Sequence, residues 1–321
     1  MISLKSCGMK IISILCLALM VSGVGICQEE EGTPPMQLYK IVVTDAPTTH
    51  HMGLYLGMDL GIFKKHGIEI GYIPVNSLDA AKDAVAAGKA DIFFACPTFT
   101  MAAISQGAPV KVIAQAKIPC TSVLVVPQNS TISRVKDIAG KKIAGISPTC
   151  EATIAYIKAV KDLNGSFELV KLAPAPAMAA LEAGVVDAAI LEEPYASIME
   201  LKGYKLVLRE IVDVPCRFVG ANSNFLTQKT DVVRRFVAAL DEANELFNSN
   251  PQEENIVAIA HKYTGAPEDA IRHGNPRIRL TTKLDIVRND VLNGYLVSLG
   301  VMPRLLTDEE LYAKEMKGIT W

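Results

Sequence analysis

The sequence predicts an α/β protein with two similar lobes. Each lobe should hold a mainly parallel sheet flanked by helices, and a two-strand hinge should join the lobes around a ligand cleft. Two pairs of matched segments predict this fold: residues 40–57 match 142–159, and residues 84–97 match 180–194. The two segments of the second half occur in the same order as their counterparts in the first half, which indicates one strand–loop–helix unit in each half of the chain.

The local chemistry of these segments supports the same elements in both halves. A glycine should end one helix in the left-handed conformation, an apolar run should form a strand covered by helices on both faces, and a proline should occupy the first turn of the next helix. These features are Gly88, 92–95 and Pro97 in the first half, and Gly184, 188–191 and Pro194 in the second.

Two Pro-Cys segments, 117–121 and 213–217, are interpreted as the crossing strands of the hinge. This interpretation predicts that Cys120 and Cys216 lie close together. They would form a disulfide if the Cα atoms are about 5 to 6 Å apart in oxidising surroundings. Two buried free thiols are the alternative.

After Gly220 the apolar spacing becomes helical. A helix should stop before Asn250, and further amphipathic helices are predicted at 252–264 and 281–299. We expect these helices to pack on the first lobe and to latch across the second. The predicted organisation is therefore 37–118 plus 218–321 for lobe 1 and 119–217 for lobe 2.

Four predicted helix N-termini should line the cleft, because ligands of open parallel sheets bind beyond the carboxyl ends of the strands. Free backbone N–H groups there favour anionic or strongly polar ligands, although helix capping alone could explain any single Ser or Thr. The predicted ligand-binding residues from these termini are Thr48, Thr49, His51, Cys96, Pro97, Thr98, Ser147, Thr149, Cys150, Glu193 and Tyr195.

Residues 1–27 predict an export signal, with Lys5 and Lys10 before an uncharged run at 11–26. A retained anchor or a short transmembrane helix is the alternative. Cys27 occupies the position of a lipid-bearing cysteine, and lipidation and plain cleavage both stay open. Residues 28–36 should form a linker.

The charge of the chain does not indicate a nucleic-acid partner. The formal net charge is −2, and loss of the two lysines of the predicted signal would make it −4. No basic field is present to attract phosphates. A monomer that contacts a membrane only through a lipid on Cys27 is expected.

Neither a metal site nor catalysis is expected from the residue spacing. His50, His51, Cys96 and Cys150 carry suitable metal-ligating groups, but each would come from a different loop. No Gly-Xaa-Ser-Xaa-Gly motif occurs, and the adjacent Glu192–Glu193 pair should point apart. No cofactor is predicted.

Three segments, 86–115, 125–146 and 181–197, resemble recurring segments of the type II periplasmic binding proteins that serve importers of sulfonates, taurine, nitrate and thiamine pyrimidines. The resemblance covers nearly the whole chain after the signal. It implies a binding component for a small polar or anionic organic solute, with an ABC permease and its ATPase as partners. A ligand-sensing module for a signalling partner is an alternative.

One segment is similar to a narrower branch of that superfamily. PTTHHMGLYLG (47–57) resembles the PNTNHTGLYVA motif of the pyrimidine precursor-binding and pyrimidine-synthase branch. That resemblance adds Asp45, which stands where the branch has Trp, to the predicted ligand-binding residues, and it makes a synthase-like enzyme of the same fold a second alternative. Glu151 lies where sulfonate and nitrate binders hold their anion, and it should repel a small anion unless it points away.

Overall fold

The structure is a computed structural model in which residues 38–321 are described. The predicted export signal, Cys27 and the linker at 28–36 lie outside the described residues. Between residues 38 and 321, no helix is both long and apolar enough to cross a membrane.

Within residues 38–321, ten strands form two five-stranded sheets. The strands are β1 (Tyr39–Asp45), β2 (Ile68–Pro74), β3 (Ile92–Ala95), β4 (Val110–Lys117), β5 (Val123–Val126), β6 (Lys142–Gly145), β7 (Glu168–Lys171), β8 (Ala188–Leu191), β9 (Lys205–Val207) and β10 (Cys216–Asn222). The first sheet has the order β2-β1-β3-β10-β4, and the second has the order β7-β6-β8-β5-β9.

The two sheets share one topology, which confirms the predicted similarity of the lobes. In each sheet three strands pair in parallel, β2-β1-β3 or β7-β6-β8. The next strand, β10 or β5, is antiparallel to both of its neighbours. Four strands of each sheet therefore run in one direction, and the fifth runs in the opposite direction.

Helices cover both sheets. The α-helices are α1 (Met52–Asp59), α2 (Ile62–Lys65), α3 (Leu78–Ala86), α4 (Pro97–Ser105), α5 (Glu151–Lys161), α6 (Pro174–Glu182), α7 (Tyr195–Leu201), α8 (Ser223–Gln228), α9 (Thr230–Ser249), α10 (Glu254–Thr264), α11 (Glu268–Gly274), α12 (Ile286–Ser298) and α13 (Asp308–Leu311). Short 3-10 turns occur at Thr49–His51, Val135–Ile138, Arg209–Val212, Asn275–Arg277 and Lys314–Met316.

Several sequence-based expectations match the structure residue by residue. The predicted strands 92–95 and 188–191 coincide with β3 and β8. Gly88 and Gly184 follow helix ends with φ of 71° and 68°, the left-handed region that glycine enters without a Cβ clash. Helix α9 ends at Ser249, directly before Asn250.

The two crossing segments run side by side between the sheets. The backbone N–H of Cys120 donates to the carbonyl oxygen of Val214 across 2.7 Å. Cys120 and Cys216 are both free and buried, and their sulfur atoms lie within 4.8 Å of each other. The two cysteines therefore lie close together, as predicted, and they are free thiols and not a disulfide. The lobe boundaries themselves remain a prediction.

Apolar packing fixes both sheets and leaves the facing ends free for polar groups. Helices α1 and α2 both pack against α9, with Phe63 of α2 stacked on Phe236 of α9 at a centroid distance of 5.1 Å. Each fully buried side chain of this size contributes about 1.5 to 3 kcal/mol. Helix α11 contacts α7, and α12 contacts α5, so carboxy-terminal helices reach the second sheet's helices as expected.

Candidate ligand site between the lobes

A buried guanidinium occupies the centre of the interface between the two sheets. Arg217, at the start of β10, is 2% exposed. Its Nη1 donates to Glu151 Oε1 at 3.0 Å, and its Nη2 donates to Glu192. Glu151 begins α5, and Glu192 follows β8. Residues from both halves of the chain therefore meet in one ion-pair cluster, which we call the central cluster: Glu151, Glu192 and Arg217.

The backbone of Arg217 is held in an unusual conformation. Its φ of 60° lies in the left-handed region that few residues other than glycine adopt. The side-chain amide of Gln115 donates to the carbonyl oxygens of Arg217, at 2.9 Å, and Cys216, at 3.2 Å. Such conformations persist where the surroundings impose them, and they concentrate at functional sites.

The charge of Arg217 is stabilised by its partners. Burial acts to lower the pKa of the guanidinium, but the carboxylate of Glu192 and other neighbours outweigh burial and hold the pKa well above its usual value. Arg217 is therefore a permanent cation. Its Nε is buried and has no hydrogen-bond partner among the described residues, so one donor of the fork is free to bind an anionic group.

His50 lies beside the central cluster as a neutral ring. Burial lowers its pKa well below 6.5, and the charges of Lys117 and Arg217 lower it further. Its Nδ1 lies 3.4 Å from Glu192 Oε2, and its Nε2 lies 3.2 Å from Thr121 Oγ1. Because the imidazole is neutral, its contact with Glu192 is a polar contact and not an ion pair.

Three threonine hydroxyls near the predicted helix starts are buried without partners. Thr49, Thr98 and Thr153 are 0% exposed, and their Oγ1 atoms make no hydrogen bond within the described part of the chain. An unpaired buried hydroxyl costs free energy and needs an explanation. A bound polar solute would supply the missing partners.

Side chains fill most of the space between the lobes. The cavity at the central cluster has a volume of about 20 Å³, room for about one water molecule. Its lining includes Arg217 and Glu192, together with Cys96, Cys150 and Thr153. A solute of several heavy atoms can enter only if the lobes separate or the acidic side chains move.

A larger cavity of about 460 Å³ lies beside the crossing segments. Its charged lining contains Arg209, Glu210 and Asp213, which are exposed, and Glu193 and Arg277, which are paired with each other. Exposed charges are already solvated by water, whereas the central cluster contains buried donors without partners. The central cluster is therefore the stronger candidate for specific recognition.

A second group of charges joins the lobes nearer the surface, and we call it the rim latch: Glu193, Glu200, His273 and Arg277. Arg277 Nη1 donates to Glu193 Oε1 at 2.9 Å and Arg277 Nη2 donates to Glu200. His273 Nε2 lies 2.9 Å from Glu200 Oε2. Gly274 allows this approach, because a Cβ there would lie 2.5 Å from Glu193 Oε2.

Two of the predicted site residues contact groups of the first sheet and its helices. Asp45 accepts from the hydroxyl of Tyr55, and its Oδ1 lies 2.5 Å from Nδ1 of His51. The His51 ring lies 5.0 Å from that of Phe94, centroid to centroid. Asp45 and His51 are 0% and 1% exposed, and neither is among the residues that line the central cavity.

Other predicted residues have different roles. The hydroxyl of Thr48 donates to the carbonyl of Glu193 across 3.4 Å. Pro97 is the first residue of α4. The hydroxyl groups of Ser147 and Thr149 form a hydrogen bond with each other, with their oxygens 2.9 Å apart.

Two further predicted residues depart from a simple helix-terminus role. Tyr195 is half-buried at the start of α7. Glu193 is buried and faces Arg277, not the central cavity. The predicted divergence of Glu192 and Glu193 therefore matches the structure.

The central cluster contains residues that the sequence-based reasoning missed. The sequence pattern predicts Arg217 only as part of a hinge strand, although an arginine directly before the apolar run FVGA is a signal of a buried charge. The sequence leaves the direction of Glu151 open, and in the structure its carboxylate points to Arg217 and is 0% exposed. The reason is charge compensation, since the buried guanidinium requires an acidic partner.

The two-lobed α/β fold, with polar groups between matched sheets, is that of the type II periplasmic binding proteins. A solved alkanesulfonate-binding protein, SsuA from Xanthomonas axonopodis pv. citri bound to MOPS, aligns with a TM-score of 0.74 at 17% identity, over 86% of this chain and 99% of that one. The periplasmic aliphatic sulphonate binding protein SsuA from Escherichia coli also gives a TM-score of 0.74, at 18% identity, over 86% and 92%.

The chain belongs to the NMT1/THI5-like family, whose model matches residues 48–254. The taurine-binding periplasmic protein of Escherichia coli (strain K12) is 32% identical over 178 residues, which are 52% of this chain and 55% of the relative. The chain thus spans about half the length of the curated relatives it matches. The resemblance inferred from the sequence is confirmed.

Proposed function

We propose that this protein is the extracytoplasmic substrate-binding component of an ABC-type importer. It captures a small, sulfonate-like organic solute between its lobes by hinge closure and presents the closed form to a permease and its ATPase. The buried guanidinium of Arg217, with an unpartnered Nε between the two sheets, is the observation that carries the proposal.

The charges of the central cluster favour a solute that has both an acidic and a basic group. A sulfonate would bind the guanidinium of Arg217, since a guanidinium can donate two parallel hydrogen bonds to a pair of anionic oxygens. Glu192, whose side chain is 17% exposed, would then be released from Arg217 and could accept from an ammonium group. Taurine has both groups, and it is the solute in the name of one relative.

Hydrogen-bonding capacity supports the same solute class. The unpartnered hydroxyl of Thr153, which lines the central cavity, can donate to a sulfonate oxygen, and α4 and α5 begin beside the cluster with free backbone N–H groups. Pyrimidine stacking has less support, because Asp45, in the position of the expected Trp, is bound to Tyr55.

The proposed mechanism is a shift between open and closed forms. The crossing segments at Cys120 and Val214 act as the hinge, and the rim latch joins the lobes once they close. A solute that contacts both lobes binds the closed form better and raises its population. The predicted export signal and the periplasmic relative support a location outside the cytoplasm, as a monomer that is lipid-anchored only if Cys27 is modified.

We also propose that the chain is not an enzyme. Glu192 and Glu193 are bound to different arginines, Arg217 and Arg277, so they do not form the paired carboxylates of acid–base catalysis. The His50 ring contacts Glu192, Thr121 and the sulfur of Cys216, but burial raises the pKa of the Cys216 thiol well above its usual value, so His50 faces a protonated thiol and not a thiolate nucleophile.

A thermal-shift panel of taurine, alkanesulfonates, nitrate, pyrimidines and carboxylates tests the solute class. A true ligand at a hundred times its dissociation constant should stabilise the protein by about 2.7 kcal/mol. Stabilisation by taurine or an alkanesulfonate alone supports the proposal. Stabilisation only by pyrimidines, or by no member of the panel, contradicts it.

Thr153→Val then locates the site. Because the hydroxyl of Thr153 has no protein partner, its loss should weaken solute binding about 5- to 100-fold without lowering the free energy of unfolding. Thr100→Val is the matched control, since the Thr100 hydroxyl already donates to the carbonyl of Cys96 at 3.1 Å. Calorimetry should show unchanged affinity for the control. Unchanged affinity for Thr153→Val would place the solute elsewhere.

A further inference from the structure

Four buried cysteines converge on the carboxylate of Glu151. They come from distant parts of the chain: Cys96 precedes α4, Cys120 lies in a crossing segment, Cys150 caps α5, and Cys216 begins β10. All four are free and no more than 6% exposed. The solute-binding role proposed above needs none of these thiols.

The ligand atoms form two groups that share one carboxylate. The sulfur atoms of Cys96 and Cys150 and an oxygen of Glu151 all lie within 4.8 Å of one another, and the same limit holds for Cys120, Cys216 and Glu151. His50 Nδ1 adds a nitrogen 3.7 Å from the sulfur of Cys216.

We propose that this cluster binds one thiophilic divalent cation of the Zn²⁺ class between the lobes, through cysteine thiolates and Glu151. Zinc takes sulfur, nitrogen and carboxylate ligands in a tetrahedron at about 2.0 to 2.3 Å. Sulfur ligands at that distance lie about 3.8 Å from one another, so side-chain movements are needed for Cys96 and Cys150 of one group and Cys216 of the other to close with the shared Glu151 around one ion.

The dispersed positions of the ligands along the chain do not argue against the site. Close spacing, as in Cys-Xaa-Xaa-Cys, is required where a single loop supplies the ligands. Here the duplicated fold brings the start of α4, the start of α5 and both crossing segments to one point. The sequence-based expectation of no metal site rests on the ligands coming from different loops, and the fold brings those loops together.

Arg217 is the main charge that opposes a cation at this position. Its Nη1 lies 3.3 Å from the sulfur of Cys96 and 3.0 Å from Glu151 Oε1. Three thiolates and a carboxylate around a divalent ion leave two excess negative charges in a buried place, which is unfavourable. The guanidinium offsets one of them, so it makes a thiolate-rich site less costly than it would be alone.

A bound ion would link the two lobes directly. Cys96 and Cys216 belong to the first sheet's elements, whereas Cys150 and Glu151 belong to the second's. Because one ion would hold ligands from both, it would stabilise the closed form independently of any solute. This role goes beyond solute capture and does not depend on it.

Zinc titration of the reduced full-length chain tests the site. Cys7, Cys16 and Cys27 are replaced by Ser, so that the four clustered cysteines are the only thiols. In competition with a chromophoric chelator we expect one equivalent of Zn²⁺ to bind. Cys96→Ser and Cys216→Ser should each weaken binding at least about 100-fold, beyond the roughly 10- to 100-fold cost of losing an outer-shell group.

His66→Ala is the control variant, because its imidazole contacts Glu242 on the surface of the first lobe, away from the cluster. It should bind zinc as tightly as the parent. Circular dichroism confirms that each variant is folded, and X-ray absorption of the parent should show sulfur at about 2.3 Å from zinc.

Three results would overturn the proposal: no zinc uptake by the reduced parent, unchanged affinity in both serine variants, or only nitrogen and oxygen around the metal. These assays contain no solute, so they can fail while taurine or an alkanesulfonate still stabilises the protein. The solute panel is run with a chelator present, so the two proposals are tested separately.

Discussion

The central cluster and the rim latch both join the lobes through arginine–carboxylate pairs, but they differ in burial. Arg217 and Glu151 have side chains that are 3% and 0% exposed. In the rim latch, Arg277 and Glu200 are 21% and 31% exposed. Similar chemistry therefore operates in two different dielectric environments.

This difference assigns different roles to the two groups. In the buried centre, an unpaired charge is costly, so a partner can be exchanged only for another partner of the same charge. That requirement makes the centre selective for ligand chemistry. At the rim, water screens the Arg277–Glu200 pair, so that contact contributes little and mainly adjusts the balance between open and closed forms.

The largest effect is expected for Arg217→Met. This change leaves Glu151 buried without its cation, and loss of one partner of a buried pair costs about 3 to 5 kcal/mol. Urea unfolding followed by circular dichroism measures the change in the free energy of unfolding. A loss below about 1 kcal/mol would show that the centre behaves like the rim.

A double variant separates the cost of the unpaired charge from the cost of lost packing. Arg217→Met combined with Glu151→Leu removes both buried charges, and Glu192 is exposed enough to reach water. Replacing both partners with apolar groups should recover most of the lost stability. If the double variant is as unstable as Arg217→Met, packing and not charge accounts for the loss.

A steric change at the rim should have the next largest effect. In Gly274→Ala the new Cβ would lie 2.5 Å from Glu193 Oε2 and 2.8 Å from Ser197 Oγ, so the closed form should lose about 1 to 3 kcal/mol. Small-angle X-ray scattering should show a larger radius of gyration. Gly294→Ala is the matched control, because its Cβ would meet nothing within 4 Å, and it should leave the scattering unchanged.

A pH effect should follow from His50. Burial depresses the pKa of its folded form, so the unfolded chain binds the proton more readily below about pH 6.5. Stability is therefore complete above that pH and falls by up to about 1.4 kcal/mol per unit below it. Urea unfolding at several pH values should show this slope, and His50→Gln should reduce it. Equal slopes would exclude His50 as the cause.

Local patterns in the sequence predicted the fold more fully than the site. Strand β8, helix α9 and the turn at Gly184 depend on nearby residues, so their positions were predicted closely. The central cluster is formed by three segments that are distant in sequence. Arg217 pairs with Glu151 only because the fold brings β10 next to the start of α5. Short sequence separation alone does not make a contact predictable. Asp45 binds Tyr55, only ten residues away, but no sequence pattern indicates this pair.

The smallest effect is expected for Glu200→Gln at the rim. This change keeps the shape of the side chain but removes the carboxylate that accepts from Arg277 and lies 2.9 Å from His273 Nε2. Because these groups are partly exposed, the loss should be about 0.2 to 1 kcal/mol, and it should vanish near 1 M salt, where screening acts over about 3 Å. The Arg217→Met loss should persist at that salt concentration, since water and ions do not reach the buried pair. Urea unfolding of both variants at low and high salt measures this contrast. Equal salt sensitivity would mean that the central cluster is open to solvent, and the distinction between centre and rim would fail.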